Sequence, residues 1–177
     1  MKCGNMSNKL LLVTGGNQGI GKAIVLEAIK SGYKVALTYN SHEKEALEFV
    51  KELDNKDVEA FQFTLGTREN VKKLLLNIQE RFNQLPSYLV NNAAILIQKD
   101  FETISDDEWI LVMNTNLTGV FQIVQELIIN MRENSFGRIV NISSIGGQVG
   151  GNLAVHYATS KAGLISFTKS MAKIYSK

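Results

Sequence analysis

Residues 10–21 read Leu-Leu-Leu-Val-Thr-Gly-Gly-Asn-Gln-Gly-Ile-Gly, an apolar run that ends in a glycine-rich turn. The run Leu10–Thr14 predicts a buried strand, because strands of a parallel sheet are covered on both faces. The pattern over Ile20–Lys30 predicts the helix that follows. A glycine turn between a strand and a helix directs backbone amides and the positive end of the helix dipole toward a phosphate. The stretch therefore predicts the start of an open α/β sheet that binds a nucleotide.

The rest of the chain alternates between strand and helix patterns. The other predicted strands are Lys34–Tyr39, Val58–Thr64, Tyr88–Asn91 and Arg138–Ser143. Four further helices are predicted. The first begins at Ser41 and has the apolar face Ala46, Val50 and Leu53, and the second has the apolar face Val71, Leu75, Ile78 and Phe82. The third runs from the capping box Ser105–Glu108 to about Met131, and the fourth spans Tyr157 to about Tyr175. This alternation predicts a doubly wound, Rossmann-like α/β fold with a parallel sheet of about five strands, in one domain over residues 1–177.

Bulk composition excludes several classes of function. The formal net charge is only +2 and no basic run occurs, so nothing indicates a nucleic-acid partner. The longest apolar runs are a few residues, which predicts no membrane span and no secretory segment. The single cysteine, Cys3, lies in a polar leader over residues 1–8 and cannot form an internal disulfide, which fits a cytoplasmic protein.

The glycines of the turn follow the spacing Gly-x-x-x-Gly-x-Gly, which differs from the common dinucleotide fingerprint Gly-x-Gly-x-x-Gly. The expected roles are similar: a tight exit from the strand, close approach of backbone amides to a pyrophosphate, and close packing of the helix on the sheet. An ordinary glycine-rich turn is the alternative. The turn residues predicted to contact the cofactor are Gly15, Asn17, Gln18, Gly19, Ile20 and Gly21.

The end of the second strand bears on which cofactor binds. A carboxylate there accepts hydrogen bonds from the adenosine ribose and selects NAD. This chain has Tyr39, Asn40 and Ser41 instead, so no acid in this segment repels a 2′-phosphate. The pattern favours NADP(H) over NAD(H), although no arginine or lysine stands beside these residues.

Tyr157 and Lys161 are spaced i and i+4, which puts both side chains on one helix face. A phenol is a poor acid at neutral pH, and a nearby ammonium favours its phenolate form. Ser144 follows the fifth predicted strand and can donate a hydrogen bond to a substrate oxygen. The three residues predict hydride transfer between a nicotinamide and a carbonyl compound, with Tyr157 as general acid or base and no metal ion. A hydrolytic triad of His156 with Ser144 is a weaker alternative, since no Gly-x-Ser-x-Gly elbow is present.

With these residues together, the chain resembles the classical short-chain dehydrogenases/reductases, and within them the 3-oxoacyl-[acyl-carrier-protein] reductase-like subgroup. The resemblance covers nearly all of the chain from Lys9 to Ser176. The segments that carry it are Thr14–Gly21, Asn91-Asn92-Ala93-Ala94, Asn116-Leu117-Thr118-Gly119, the catalytic positions Ser144, Tyr157 and Lys161, and the following helix over 163–170.

The resemblance implies further site residues. Asn116 is implied to hold a proton-relay water near Lys161. Asn91 is implied to stabilise the central sheet and, with Ala93, to contact the cofactor. Thr64 stands where the family usually has an aspartate facing the adenine, and Leu65 joins it in the implied cofactor site. Ala94 departs from the glycine usual at that position.

The family normally continues for roughly 60 to 70 residues beyond this point, and its full sheet has the order 3-2-1-4-5-6-7. We therefore expect the fifth strand to form an edge, with apolar surface uncovered around Ile139 and Ile142. We also expect the 177-residue chain, taken alone, to bind cofactor weakly and to turn over slowly or not at all.

The resemblance also implies partners. The substrate is a small ketone or an acyl thioester, free or bound to a carrier protein, and the full-length form is a dimer or tetramer. Ile123, Leu127 and Ile128 are candidate interface residues, and burial in the core is the alternative for them. The favoured activity is NADP(H)-dependent reduction of a 3-oxoacyl thioester or similar ketone. The alternatives are a catalytically impaired nucleotide-binding module of the same fold and a dehydrogenase of sugars, polyols or steroids.

Overall fold

The computed structural model describes residues 9–176, so the predicted leader with Cys3 lies outside the described residues. One parallel sheet is built from five strands: β1 Leu10–Val13, β2 Lys34–Tyr39, β3 Val58–Gln62, β4 Tyr88–Asn91 and β5 Arg138–Asn141. Their order across the sheet is β3-β2-β1-β4-β5. The α/β fold class and the first five positions of the expected strand order are therefore confirmed.

Helices follow the strands in the predicted alternation. They are α1 Gly19–Lys30, α2 Glu43–Leu53, α3 Arg68–Phe82, α4 Asp106–Met113, α5 Gly119–Glu133, α6 Gly146–Val149 and α7 Val155–Tyr175, with a short 3₁₀ turn at Phe101–Thr103. Most predicted boundaries differ from these by one or two residues. The short helix α6 was not predicted.

The pleat of β1 divides the core into two clusters. Leu10 and Leu12 pack with the buried faces of α3, α5 and α7, whereas Leu11 and Val13 pack with α1 and α2 on the opposite face of the sheet. Successive strand residues point to opposite faces, so one continuous apolar run serves both clusters. Each such side chain contributes about 1.5–3 kcal/mol when it leaves water. The sheet is thereby held between two helical layers, which leaves its carboxyl-terminal edge free for a site.

The long helix predicted from Ser105 to Met131 is not continuous. A π-helical turn at Asn114–Thr118 joins α4 to α5. Its central residue, Asn116, uses its side chain to bond the backbone of Ile95 in the loop after β4. An extra residue in the turn lets the side chain reach that loop, and a wider turn of this kind is often found at functional sites.

The expectation about the sheet edge is confirmed for the strand, and uncovered apolar surface lies next to the two named isoleucines. β5 does form an edge of the sheet. Ile139 and Ile142, however, are half-buried against the two core clusters, and Val140 is the exposed residue, at 51%. A groove of about 780 Å³ runs beside β5 between α5 and α7, and none of the four predicted catalytic residues lines it.

Two of the predicted interface residues are core residues instead. Ile123 and Leu127 are fully buried beneath the sheet, and Ile128 is half-buried against the same cluster. The outward face of α5 carries Phe121 and Ile129, both exposed. Core burial, the alternative interpretation, is therefore correct for Ile123 and Leu127, since helical periodicity gives the apolar stripe but not which side chains a neighbouring element covers.

The loop after β4 is anchored by one ion pair. Lys99 Nζ lies 2.7 Å from Glu108 Oε1, and Lys99 N donates to Leu153 O at 2.7 Å. Glu108 also completes the predicted capping box with Ser105. The hydrogen bonds from Lys99 and from the Ser105 backbone lower the pKa of Glu108 to about 2.

We expect Glu108→Gln to lower the melting temperature at neutral pH and to have less effect in acid. A carboxyl group whose pKa is lower in the folded protein than its ordinary value stabilises the fold at pH values above that ordinary pKa. This contribution is lost as the pH falls toward the pKa of the folded state. The difference from wild type should therefore shrink between about pH 5 and about pH 3. Melting curves across this range test it, with the exposed Glu102→Gln as the control. A difference that stays constant with pH contradicts the prediction.

Candidate active site

The glycine turn after β1 is tied to the strands on both sides of it. Thr14 Oγ1 accepts hydrogen bonds from Asn92 N and Ala93 N, each at 3.0 Å. Asn92 Nδ2 donates back to Thr14 O and Gly15 O, also at 3.0 Å. On the other side, Gly15 N donates to Thr38 Oγ1 at 3.1 Å. The turn is thus fixed between the ends of β2 and β4.

The glycines are required by conformation and by space. Gly15 and Gly19 have φ values of +63° and +51°, which side chains with a Cβ rarely adopt. A methyl group at Gly21 would overlap the carbonyl oxygen of Gly15, whereas one at Gly19 would meet nothing within 4 Å. Gly16, which was not predicted as a site residue, could carry a methyl only at 2.7 Å from Leu37 Cβ. The open space at Gly19 forms a cradle at the start of α1.

The cradle suits an anion. The first amides of a helix have no intrahelical partner, and the first turn of α1 contains no acidic residue. Gln18 and Ile20 are exposed beside it, and Asn17 is nearly buried. Backbone donors, helix dipole and open space together fit the pyrophosphate of a dinucleotide.

Polar side chains meet at the carboxyl ends of β2 and β3. Thr64 Oγ1 donates to Asn40 Oδ1 at 2.8 Å, and both side chains are exposed. Ser41 Oγ bonds its neighbour His42. The Tyr39 hydroxyl donates to Glu43 Oε1 at 3.3 Å, and burial together with that carboxylate raises the pKa of Tyr39. Sequence reasoning missed Glu43, which brings an acid near this strand end.

Lys161 is held deep in the site. Only 3% of the residue is exposed, and its Nζ donates to Ile142 O at 2.7 Å. The same Nζ lies 5.6 Å from the centroid of the Tyr157 ring. Burial lowers the pKa of Lys161. The predicted pairing of the two side chains on one face of α7 is present, with Tyr157 half-buried.

Ser144 lies between β5 and α6 and is half-buried. A methyl at Gly146 would sit 3.6 Å from Ser144 Oγ and 3.9 Å from Ala158 Cβ, so this segment packs beside the residue that follows Tyr157. Ser144 Oγ accepts a hydrogen bond from Gly146 N. Within residues 9–176, neither ring nitrogen of His156 has a hydrogen-bond partner, so the hydrolytic pair with Ser144 is not formed.

Asn116 is fully buried and bonds protein atoms. Its Nδ2 donates to Ile95 O at 2.9 Å and to Ser160 Oγ at 3.2 Å, while its Oδ1 accepts from Ile95 N at 2.9 Å. The side chain therefore joins the loop after β4 to α7. Its role in holding a relay water stays a prediction.

Asn91 joins the ends of two strands. Its Nδ2 donates to Asn141 Oδ1 at 2.8 Å, and Asn141 Nδ2 donates in turn to Thr168 Oγ1 on α7. This contact fits the predicted role of Asn91 in stabilising the sheet. Ala93 lies beside the glycine turn, where a methyl at Gly15 would come within 3.3 Å of its Cβ. Thr14 and Asn92 stood inside the quoted motifs, but nothing in the sequence singled out their mutual bonds.

Comparison with known proteins decides the family. The sequence profile described as "short chain dehydrogenase" matches residues 9–177. The chain belongs to the short chain dehydrogenase family. It is therefore an oxidoreductase that uses a nicotinamide cofactor.

Similar proteins cover most of the chain. An acetoacetyl-CoA reductase of Shinella zoogloeoides is 37% identical over 166 residues, 94% of this chain and 67% of that protein. A 3-oxoacyl-[acyl-carrier-protein] reductase of Staphylococcus aureus is 36% identical over 167 residues, 93% of this chain and 68% of that protein. The crystal structure of a short chain dehydrogenase from Bacillus anthracis superposes with a TM-score of 0.88 at 27% identity, and covers 94% of this chain and 70% of its own.

Among residues 9–176, no three His, Cys, Asp or Glu side chains are grouped as metal ligands. No helix in the same range combines the length and hydropathy needed to cross a bilayer.

We expect Gly21→Ala to disrupt the glycine turn, because the added methyl overlaps the Gly15 carbonyl oxygen. Overpacking against backbone should destabilise the fold by about 2 kcal/mol or more and weaken nucleotide binding. Urea unfolding and a fluorescence titration with NADPH measure the two effects. Gly151→Ala is the matched control, since its methyl would have only an ordinary contact at 3.8 Å. Equal stability and affinity of the two variants would contradict this account of the turn.

Proposed function

We propose that this chain reduces a 3-oxoacyl thioester or a similar ketone with NADPH, and that Tyr157 is the general acid. The observation that carries the proposal is the buried ammonium of Lys161, 5.6 Å from the centroid of the Tyr157 ring, with Ser144 in a segment that packs beside Ala158, the next residue after Tyr157. The names of the relatives, acetoacetyl-CoA reductase and 3-oxoacyl-[acyl-carrier-protein] reductase, support a 3-oxoacyl thioester as substrate.

The mechanism divides proton handling among the residues of this chain. Bound nicotinamide supplies the hydride. Ser144 Oγ donates a hydrogen bond to the ketone oxygen, and Tyr157 Oη transfers its proton to that oxygen as negative charge develops there. Lys161 Nζ stabilises the phenolate that remains and holds the nicotinamide ribose. The product is a secondary alcohol, and in the reverse direction the phenolate removes the hydroxyl proton. Asn116 positions the helix turn that carries Ser160 and, as proposed, a relay water.

The cofactor site follows from the carboxyl-terminal edge of the sheet. The proposed contacts are Gly15, Asn17, Gln18, Gly19, Ile20 and Gly21 for the pyrophosphate; Tyr39, Asn40 and Ser41 for the adenosine ribose; Thr64 and Leu65 for the adenine; and Asn91, Ala93, Tyr157 and Lys161 toward the nicotinamide. The open cradle at Gly19 supports the first group, the positions of residues 39–41, 64–65, 91 and 93 at strand ends support the next ones, and the bond from Lys161 to Ile142 O brings α7 to the end of β5.

The preference for NADPH rests on Asn40. Its Oδ1 already accepts one hydrogen bond from Thr64, while its two Nδ2 hydrogens are donors that Asn40 can offer to a ligand. Donors suit a 2′-phosphate, whereas a ribose diol also needs an acceptor. Glu43 opposes this preference by its charge, which the single hydrogen bond from the Tyr39 hydroxyl leaves in place, whereas residues 39–42 contain no acid. The balance favours NADP(H).

We expect Asn40→Asp to reverse the preference. A carboxylate at this position accepts from the ribose hydroxyls and repels a 2′-phosphate. The ratio of NADPH to NADH affinity should fall by about tenfold or more, which is about 1.4 kcal/mol. Titrations with both nucleotides measure the ratio. Asn55→Asp, in the loop between α2 and β3 at the other edge of the sheet, is the control. A wild-type chain that prefers NADH would overturn the proposed cofactor.

The substrate proposal has support in the loops around the site. Leu96 in the loop after β4 and Ile145, Val149 and Leu153 around α6 are exposed apolar side chains. The hydrogen bond between Lys99 N and Leu153 O joins the two loops. Apolar side chains beside Ser144 suit an acyl chain better than a sugar or polyol. Delivery by a carrier protein, a homo-oligomeric state and a cytoplasmic location remain part of the proposal.

We expect Tyr157→Phe to lose most reduction of acetoacetyl-CoA while nucleotide affinity changes less than about twofold. A general acid contributes roughly 10²–10⁴-fold to the rate, and the phenyl ring preserves packing. Steady-state rates and NADPH titration separate the two effects. Tyr175→Phe, on the same helix and exposed, is the matched control. Turnover that survives in Tyr157→Phe contradicts the assigned role. A wild-type chain that binds NADPH and reduces no ketone would favour the nucleotide-binding module.

A further inference from the structure

Three consecutive residues after β5 contact the site through different atoms. Ile142 offers its carbonyl oxygen to Lys161 Nζ at 2.7 Å. Ser143 Oγ donates to the backbone carbonyl of Lys161 at 3.0 Å. Ser144 presents its own hydroxyl beside α6. One short segment therefore contacts both ends of Lys161 and carries the serine proposed to bind substrate.

Helix α6 adds a contact that leaves Lys161 little room to move. A methyl at Gly147 would lie 2.7 Å from the carbonyl carbon of Lys161 and 2.9 Å from Ala162 N, so the backbones of α6 and α7 touch at this point. Since α6 follows Ser144 directly, the same segment reaches α7 a second time. The turn of α7 that carries Lys161 is held by the Ser143 hydroxyl and by the Gly147 backbone.

A lysine needs such anchoring more than most residues. Its four-carbon stem carries about 2 kcal/mol of rotamer entropy, and its ammonium has three donors to satisfy. Within residues 9–176 the ammonium has one hydrogen-bond acceptor, Ile142 O, and forms no ion pair with a carboxylate. Two donors are thus free for other groups, and their direction depends on where the backbone of Lys161 sits relative to Ile142.

We propose that Ser143 is a positioning residue, whose hydroxyl fixes the helix turn of Lys161 against the segment that carries Ser144. The contacts described above support this placement of Lys161. The consequence for catalysis rests on the proposed function. Without the hydroxyl, the Lys161 carbonyl oxygen loses the hydrogen bond that Ser143 donates to it, and the turn is free to move away from the strand end. The ammonium then leaves its place beside the Tyr157 ring and gains access to water.

The test follows Lys161 itself in the full chain without nucleotide. The chain is labelled with ¹³C at lysine Cε, the Lys161 signal is assigned with Lys161→Arg, and its shift is followed against pH. Because burial lowers the pKa of Lys161, we expect Ser143→Ala to raise the titration midpoint toward the ordinary value for lysine. Ser143→Thr keeps the hydroxyl and should titrate like wild type. Ser166→Ala, an exposed serine of α7, is the matched control.

Kinetics provide the second measurement. Ser143→Ala should lower kcat for acetoacetyl-CoA reduction by about tenfold, or about 1.4 kcal/mol, while KM for NADPH changes less than about twofold. A midpoint in Ser143→Ala equal to that of wild type overturns the proposal, as does an equal shift in Ser166→Ala. A lower melting temperature with an unchanged midpoint also overturns it, because the role is then structural alone. If Ser143→Ala does not fold, Ser143→Cys keeps the side-chain size with a weaker donor and is judged by the same outcomes.

The two proposals fail in different ways. A chain that reduces no ketone contradicts the proposed function, yet the titration of Lys161 still decides the role of Ser143. A chain whose turnover depends on Tyr157 but whose Lys161 titration ignores Ser143 keeps the proposed function and loses this inference.

Discussion

The hydroxyl of Thr14 is the contact on which the geometry of this site depends. It accepts from two consecutive backbone amides, Asn92 N and Ala93 N, while Asn92 returns two hydrogen bonds to the carbonyls of Thr14 and Gly15. These bonds lock the turn after β1 to the turn after β4. Strands β1 and β4 are adjacent in the sheet. Asn92 and Ala93 nevertheless follow Thr14 by 78 and 79 residues in the sequence. Connections leave β1 and β4 in opposite directions across the sheet, and a crevice opens at such a point.

Hydrogen bonds along α7 fix the second half of the chain to that crevice. Ser160 bonds Asn116, Lys161 bonds the end of β5, and Thr168 bonds Asn141. Hydrogen bonds of this kind are directional, so they define one register for the helix where apolar packing alone would permit several. Asn116 belongs to the π-helical turn, and its side chain also bonds the loop after β4. The parts of the site are therefore connected by hydrogen bonds from the glycine turn to α7.

Local patterns predicted the fold because they are sufficient for it. Four apolar residues before a glycine turn define β1, and the spacing of Tyr157 and Lys161 defines one helix face. What the sequence could not predict depends on distant partners. The π-helical turn exists because Asn116 meets Ile95, and Gly16 is required because Leu37 lies behind it. Ile123 and Leu127 show the helical periodicity of an apolar stripe, and it is the packing of α5 against the sheet and α3 that buries them. Glu43 is a different case, because it stands only four residues after Tyr39 and its contact with the Tyr39 hydroxyl was within reach of a local reading of the sequence.

A buried ammonium without a carboxylate partner costs stability, and this cost is informative. Removing an ammonium from water is unfavourable unless hydrogen bonds and opposite charge compensate it. For Lys161 the compensation within residues 9–176 is one backbone carbonyl at 2.7 Å. A lysine kept only for packing could be replaced by an apolar residue with a gain in stability, as stabilising substitutions at functional sites often achieve. The contacts around Lys161 instead keep the lysine in one position, because Ile142, Ser143 and Gly147 all contact it. A group that is both unfavourable to bury and tightly held is typical of a functional site, and this supports the proposed role of Lys161 in proton transfer.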